Sequence, residues 1–321
     1  MNILFTAGGR RVEIIQIFKK ELLQDKIYVA DISGTAPALY CGDEALVIPK
    51  FSHPQSLDVI LDVCRKKHIN VIIPLTDYEI DFYTQKEEIF TKNGVRVLLS
   101  GPCIVEIARD KWKTYLFFKE NGIPVLDTFL RREDITNFPV AAKPKTGSAG
   151  IGVFRIGSAS ELLNRGDISE GYIYQPLIEA GPMLQEITVD VLTDGSGRCS
   201  AISQRQRLKI RAGEVERAVT VFDTGIDQHV RQIVRLLKPF GMINIQLFRC
   251  PDGKLAFQEI NLRLGGGCPL SYESGVNIPV LIKAIVTGKG KPSDCVLAKE
   301  GIYMLRFDSS FYLKKEQMVH G

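Results

Sequence analysis

The chain has 321 residues, 45% of them hydrophobic, enough for a large core and two or three domains. Its 41 basic and 37 acidic residues leave a formal charge of +4, too small an excess to indicate a nucleic-acid partner. No apolar run reaches the length of a membrane span, and the N-terminus opens as a buried strand instead of a basic signal-peptide lead. Seven scattered cysteines, four histidines and no C-x-x-C pair predict reduced thiols in a cytoplasmic protein, with no zinc site.

Asn2–Thr6 reads as an apolar strand, followed by Ala7-Gly8-Gly9-Arg10-Arg11 and an amphipathic helix to about Leu23. A second strand over Lys26–Ala30 ends at Asp31, giving the opening βαβ of a doubly wound sheet. Helices over Ser56–His68 and about Ile80–Asn93, with strands Val71–Pro74 and Val95–Leu99, complete an α/β domain at 1–100, bounded by Ser100-Gly101-Pro102. Ligands bind at the carboxyl ends of such strands, which makes Arg10, Asp77 and Glu79 candidate substrate residues. Arg10 suits a carboxylate through its planar fork. The acidic end of the second strand invites a dinucleotide, but the glycines lack the G-x-G-x-x-G spacing that lets a pyrophosphate approach the backbone.

Asp110 reads as the N-cap of a helix over Lys111–Glu120. Lys111 in its first turn faces the positive end of the helix dipole, a conflict that an anionic ligand resolves. The strand ending Lys143-Pro144 delivers a lysine beside the flexible loop Gly147-Ser148-Ala149-Gly150-Ile151-Gly152, whose N–H groups suit phosphates although it is no Walker loop. Ser158 and Glu161 form a capping box. The strand Tyr172–Pro176 leads through Leu177, Ile178 and Gly181-Pro182 to a strand at Gln185–Thr193 carrying Glu186. In the strand Cys199–Arg207 and the run after it, Arg205, Arg207, Lys209 and Arg211 alternate, so several cations can share one side of a cleft. A helix over Gln228–Lys238 follows.

Gly241–Gly267 then reads as a hairpin with a Pro251-Asp252-Gly253-Lys254 turn. With Asp252 and Gly253 as the two central residues, Gln246 falls opposite Glu259, and period-two alternation places Asn261 on the face of Glu259. Three oxygen-bearing side chains there suit Mg²⁺ or Mn²⁺ with phosphates completing the shell. Arg263 and Gly265-Gly266-Gly267 supply a phosphate-facing cation and an uncrowded loop.

The ordered set Lys111, Lys143 with its glycine loop, Glu186, Gln246 and Glu259-x-Asn261-x-Arg263 resembles the ATP-grasp superfamily, and its last segment resembles the carbamoyl-phosphate synthase large-chain type. The resemblance implies a doubly wound pre-ATP-grasp domain at 1–100 and two α+β lobes clamping ATP at 101–290, the small one at about 110–175 and the large one at about 178–290. The segment 291–321 is expected to pack on the large lobe. Lys111, Lys143 and the loop with Gly147, Ser148 and Gly150 would contact ATP phosphates. Gln175, Pro176, Leu177 and Ile178 would form the hinge beside adenine, with Glu186 on ribose. Gln246, Glu259 and Asn261 would hold two Mg²⁺ ions, with Gln246 and Glu259 also in the ATP site, and Arg263 and Lys143 would act in catalysis. Gln175 stands where an acidic hinge residue is usual. The implied activity is ATP-dependent, ADP-forming carboxylate–amine ligation of a small metabolite or amino acid through an acyl phosphate. Arg205 and Arg207 would bind the substrate or acyl phosphate. Competing readings are a non-catalytic nucleotide-binding module and an enzyme that stops at a phosphorylated product. The expected partners are a small carboxylate and an amine, with no nucleic acid and no membrane, and a homo-oligomer is compatible with the sequence.

Overall fold

A computed structural model describes residues 1–147, 150–165, 168, 171–178, 183–211, 213–290 and 292–319. The N-terminal domain is built from β1 (Asn2–Thr6), α1 (Val12–Glu21), β2 (Lys26–Asp31), β3 (Glu44–Val47), α2 (Ser56–Lys66), β4 (Val71–Pro74), α3 (Ile80–Gln85), α4 (Glu87–Lys92) and β5 (Arg96–Val97). Its five strands are parallel in the order β3-β2-β1-β4-β5. Parallel strands covered on both faces are apolar throughout, and Ile3, Leu4, Ile27, Val29, Val71 and Ile72 are all fully buried. The strand order reverses between β1 and β4, so their carboxyl-end loops flank the crevice of a doubly wound sheet.

Both loops are fixed by carboxylates. Asp31 accepts from the Gly9 N–H (2.8 Å) and the Ser33 N–H (3.0 Å), which turns it to holding its own loop and away from a ribose. Glu79 is fully buried. It accepts from the Leu75 N–H (2.7 Å), the Thr76 N–H (2.8 Å) and both the Thr76 and Thr6 hydroxyls. It is therefore a strut for the β4 loop, and the expectation that it binds substrate is corrected. The single helix expected over 80–93 is broken at Lys86 into α3 and α4, and β3 went unforeseen because its half-buried EALV shows no alternation.

The proposed boundary at Ser100 is no free linker, since its hydroxyl exchanges hydrogen bonds with both backbone groups of Phe240. α5 (Pro102–Arg109) and α6 (Lys111–Glu120) follow, with Asp110 capping α6 through the N–H groups of Trp112 and Lys113. A three-stranded sheet comprises β6 (Val140–Pro144), β7 (Phe154–Ile156) and β8 (Tyr172–Pro176) in the order β7-β6-β8, covered by α7 (Ala159–Asn164). At α7 the box is offset: Ser158 caps Glu161, but the Glu161 carboxylate reaches the Gly157 N–H.

The larger lobe holds β9 (Gln185–Asp194), β10 (Cys199–Arg211), β11 (Glu214–Val221), α8 (Thr224–Leu237), β12 (Phe240–Arg249), β13 (Leu255–Asn261), α9 (Cys268–Glu273), α10 (Ile278–Thr287), β14 (Val296–Leu297) and β15 (Tyr303–Leu305). Its sheet runs β13-β12-β9-β10-β11-β15, with β14 beside β10. The end of the chain does more than pack on this lobe. Asp308 pairs with Arg211 at 2.7 Å and reaches Arg10 at 3.5 Å, and the Val319 N–H donates to Tyr40 of the N-terminal domain. No helix among the described residues is long and apolar enough to cross a membrane.

Burial pushes the Glu79 carboxyl up from 4.5 to about 7, against the pull of its donors. Between those values the folded chain holds a proton that the unfolded chain has released, so this contribution favours folding at low pH and is lost as pH rises. The unfolding free energy of the wild type, referenced to Glu79→Gln, should fall by about 3 kcal/mol from pH 4.5 to pH 7 in urea titrations. A flat difference across that window contradicts the assignment.

Candidate functional site

The hairpin of β12 and β13 does pair Gln246 with Glu259, and Asn244 with Asn261. It reaches that register by another route. The turn closes from Cys250 to Lys254, with only Gly253 of its residues at positive φ (+82°), and Arg249 pairs with Leu255. The register then shifts by one residue between Leu247 and Gln246, leaving Gln258 as a bulge. The bulge compensates for a loop one residue longer than the two-residue turn and keeps Gln246 beside Glu259. Asn261 donates to Glu259 Oε1 at 3.2 Å, and Arg207 on β10 donates to Gln246 Oε1 at 3.3 Å.

This hairpin floors a cleft of about 620 Å³ between the N-terminal domain and the two lobes. Lys111 and Lys143 project into it from α6 and β6. Among the described residues their hydrogen-bond partners are neutral: Lys111 donates to the Gly147 carbonyl and Lys143 to Gln175 Oε1, each at 2.8 Å. Burial is the main cause lowering both ammonium pKa values, opposed by the Glu259 charge. Burial likewise lowers those of Arg11 and Arg207. Gly147 and Gly150 line the cleft, while Ser148 lies outside the described residues.

Beyond Arg263 the chain passes through Gly265-Gly266-Gly267, where an added Cβ would crowd three side chains of the site. A Cβ on Gly265 would stand 2.6 Å from Asn244 Oδ1, on Gly266 2.5 Å from Arg11 Nη1, and on Gly267 2.5 Å from Arg205 Nε. Arg205 is itself buried, held by Asp190, which is 1% exposed and also accepts from Asn244 (2.7 Å) and Ser271 (2.8 Å). Arg11 is paired with Glu214 at 2.8 Å.

The cleft thus brings together Asp77, Lys111, Lys143, Arg205, Arg207, Gln246, Glu259, Asn261 and Arg263. Several expected residues lie elsewhere. Arg10 is 79% exposed and faces Asp308, and its neighbour Arg11 lines the cleft instead, because the loop delivers position 11 to Gly266. Gln175 is buried behind Lys143, between that lysine and the Thr128 hydroxyl (2.9 Å), so its side chain is turned away from a hinge role. Pro176, Leu177 and Ile178 are not among the lining residues, and the Leu177 N–H already donates to the Pro139 carbonyl at 3.0 Å. Glu186 is likewise outside the lining and sits 3.5 Å from Arg207. Sequence reasoning missed Arg11, Asp190, Glu214 and Asn244. Asp190 carried a usable signal, a lone charge inside the apolar run of β9.

The hairpin triad has one carboxylate, and no group of three or more His, Cys, Asp or Glu suited to a metal occurs among the described residues. A divalent ion here would need phosphate oxygens as further ligands.

Residues 3–98 match the family model described as PylC-like, N-terminal domain, and residues 182–308 match that described as ATP-grasp in the biosynthetic pathway with Ter operon. The carbamoyl phosphate synthase large chain of Thermoplasma acidophilum is 21% identical over 293 residues, 84% of this chain and 28% of that one. An uncharacterized protein of Mycoplasma genitalium is 29% identical over 143 residues, 43% of this chain and 50% of that protein. This chain therefore spans half or less of these curated relatives. Among solved structures, the biotin carboxylase domain of Hydrogenobacter thermophilus 2-oxoglutarate carboxylase, in complex with MgADP, ADP and bicarbonate, superposes with a TM-score of 0.76 at 16% identity, covering 94% of this chain and 73% of that one.

Breaking a buried ion pair leaves an uncompensated charge. Asp190→Ala should therefore lower the unfolding free energy by about 3–5 kcal/mol in urea titrations. A loss of under about 1 kcal/mol would show that Arg205 needs no partner.

Proposed function

We propose that the chain is a member of the ATP-grasp superfamily and an ATP-dependent ligase that activates a small carboxylate as an acyl phosphate and passes it to an amine. The reading is carried by one observation: two half-buried lysines with neutral partners, an oxygen-bearing hairpin and a carboxylate-bound arginine fork line the same cleft. Among the described residues, six cations line it (Arg11, Lys111, Lys143, Arg205, Arg207, Arg263) against three carboxylates (Asp77, Glu214, Glu259). That excess fits a polyphosphate better than a neutral ligand.

Lys111 and Lys143 would bind phosphate oxygens, and the glycine loop would fold over them. Gln246, Glu259 and Asn261 would hold Mg²⁺, which supplies charge neutralisation of the phosphates when bound. With one carboxylate in that set, ion affinity should depend on bound nucleotide. Arg263 would hold the substrate carboxylate and the transferred phosphoryl group through its fork. No enzyme nucleophile is needed, because the substrate carboxylate is the attacking group. The Gln175 amide oxygen fixes Lys143 without neutralising it, which leaves the full ammonium charge for phosphate.

Incubation with ATP, Mg²⁺ and pooled carboxylates and amines should release phosphate only when both pools are present. Release with the carboxylate pool alone favours a phosphorylating enzyme, and no stimulation by any pool favours a binding module. Glu259→Gln should cut turnover by at least about 100-fold with an unchanged thermal midpoint, and near-wild-type turnover would remove the metal assignment. Gln175→Leu should weaken ATP about tenfold in equilibrium binding, the worth of one charge-assisted hydrogen bond. Unchanged affinity would show that Lys143 is placed without it.

A further inference from the structure

Asp77 sits in the β4 loop and grips Arg263 fork to fork, with Arg263 Nε donating to Oδ1 at 2.9 Å and Nη2 to Oδ2 at 2.8 Å. The two side chains are only 13% and 17% exposed, so this is more than a surface pair. The loop cannot drift away, because Glu79 clamps Thr76 and Leu75 on the near side of Asp77. Asp77 belongs to the N-terminal domain and Arg263 follows the hairpin that carries Glu259 and Asn261. An internal carboxylate therefore occupies the edge of Arg263 that a substrate carboxylate needs.

That edge holds one carboxylate at a time. A substrate entering it would displace Asp77, whose clamped loop keeps the freed carboxylate in the cleft beside the incoming amine's path. The second substrate arrives at neutral pH as an ammonium ion, which cannot attack until it loses a proton. Lys111, which feels the Asp77 charge, is retained for phosphate in this scheme.

Resting on the ligase reading, we propose that Asp77 is the general base for the amine, masked by Arg263 in the free protein and released when the substrate carboxylate takes its place. The ammonium group gives its first proton to Asp77, and the neutral nitrogen forms the C–N bond to the acyl carbon. The C–O bond to phosphate then breaks, with the electron pair leaving on phosphate. The departing phosphate takes the second proton from nitrogen, and Asp77 returns its proton to solvent before closing on Arg263 again. Order of binding follows: carboxylate first, amine second.

Hydroxylamine separates a base from a strut, because it is neutral at pH 7 and attacks acyl phosphates without a proton acceptor. Wild-type and Asp77→Asn chains would be given ATP, Mg²⁺ and a pool of L-amino acids and short carboxylic acids. The nucleophile would be either hydroxylamine or ammonium chloride with pooled amines. The variant should make hydroxamate within about threefold of wild type while amide formation falls about 100-fold or more. Asp77→Glu should recover part of the amide. By calorimetry without ATP, the carboxylate that yields wild-type hydroxamate should bind Asp77→Asn at least as tightly as wild type, since its internal competitor is weakened. Loss of hydroxamate and amide together, weaker carboxylate binding, or unchanged amide formation each overturns the proposal. Absence of hydroxamate from the wild type with every carboxylate overturns the ligase reading itself, and this inference with it.

Discussion

A buried charge beneath the cleft sets the geometry of everything above it. Asp190, on the central strand β9, binds Arg205 of β10, Asn244 of β12 and Ser271 of α9. These contacts join three adjacent strands to the helix that follows the glycine run. A carboxylate and a guanidinium in so dry a place persist only if each finds partners, and the partners found are the elements that must stay in register for Gln246, Glu259 and Asn261 to meet. The glycines at 265–267 follow from the same constraint, because the loop must pass within contact of Asn244, Arg11 and Arg205.

A second layer of charge spans the boundary between the N-terminal domain and the larger lobe. Asp77 holds Arg263, Glu214 holds Arg11, and Asp308 binds Arg211 while reaching Arg10. The pairs differ in burial. Arg10 with Asp308 is largely solvated and contributes little, whereas Asp77 with Arg263 is shielded and facing the cleft. The first kind of pair tethers a surface, and the second can be exchanged for a ligand of matching charge. This is why the domain boundary belongs to the site.

Much of this was legible in residue order. Strands permit one alternation, so Glu259 and Asn261 had to share a face, and the capped start of α6 at Asp110 follows from side-chain chemistry within three residues. Contacts between distant segments were harder to read. The hairpin register emerged correctly from a turn that forms differently, because a bulge at Gln258 cancelled the difference. Choosing between Arg10 and Arg11 needed the position of Gly266, and Glu79 looked like a mouth residue until its four donors were in place around it. Asp190 and Arg205 sit 15 residues apart on neighbouring strands, and only the pairing of β9 with β10 shows that they meet.

The central claim is that a carboxylate oxygen attacks phosphorus in this cleft. Turnover of a carboxylate labelled with ¹⁸O on both oxygens, followed by mass spectrometry of the released phosphate, tests it directly. An acyl phosphate pathway predicts one ¹⁸O atom in each phosphate released, carried over when the C–O bond breaks. Phosphate free of label, from a reaction that still consumes the carboxylate, would contradict the account.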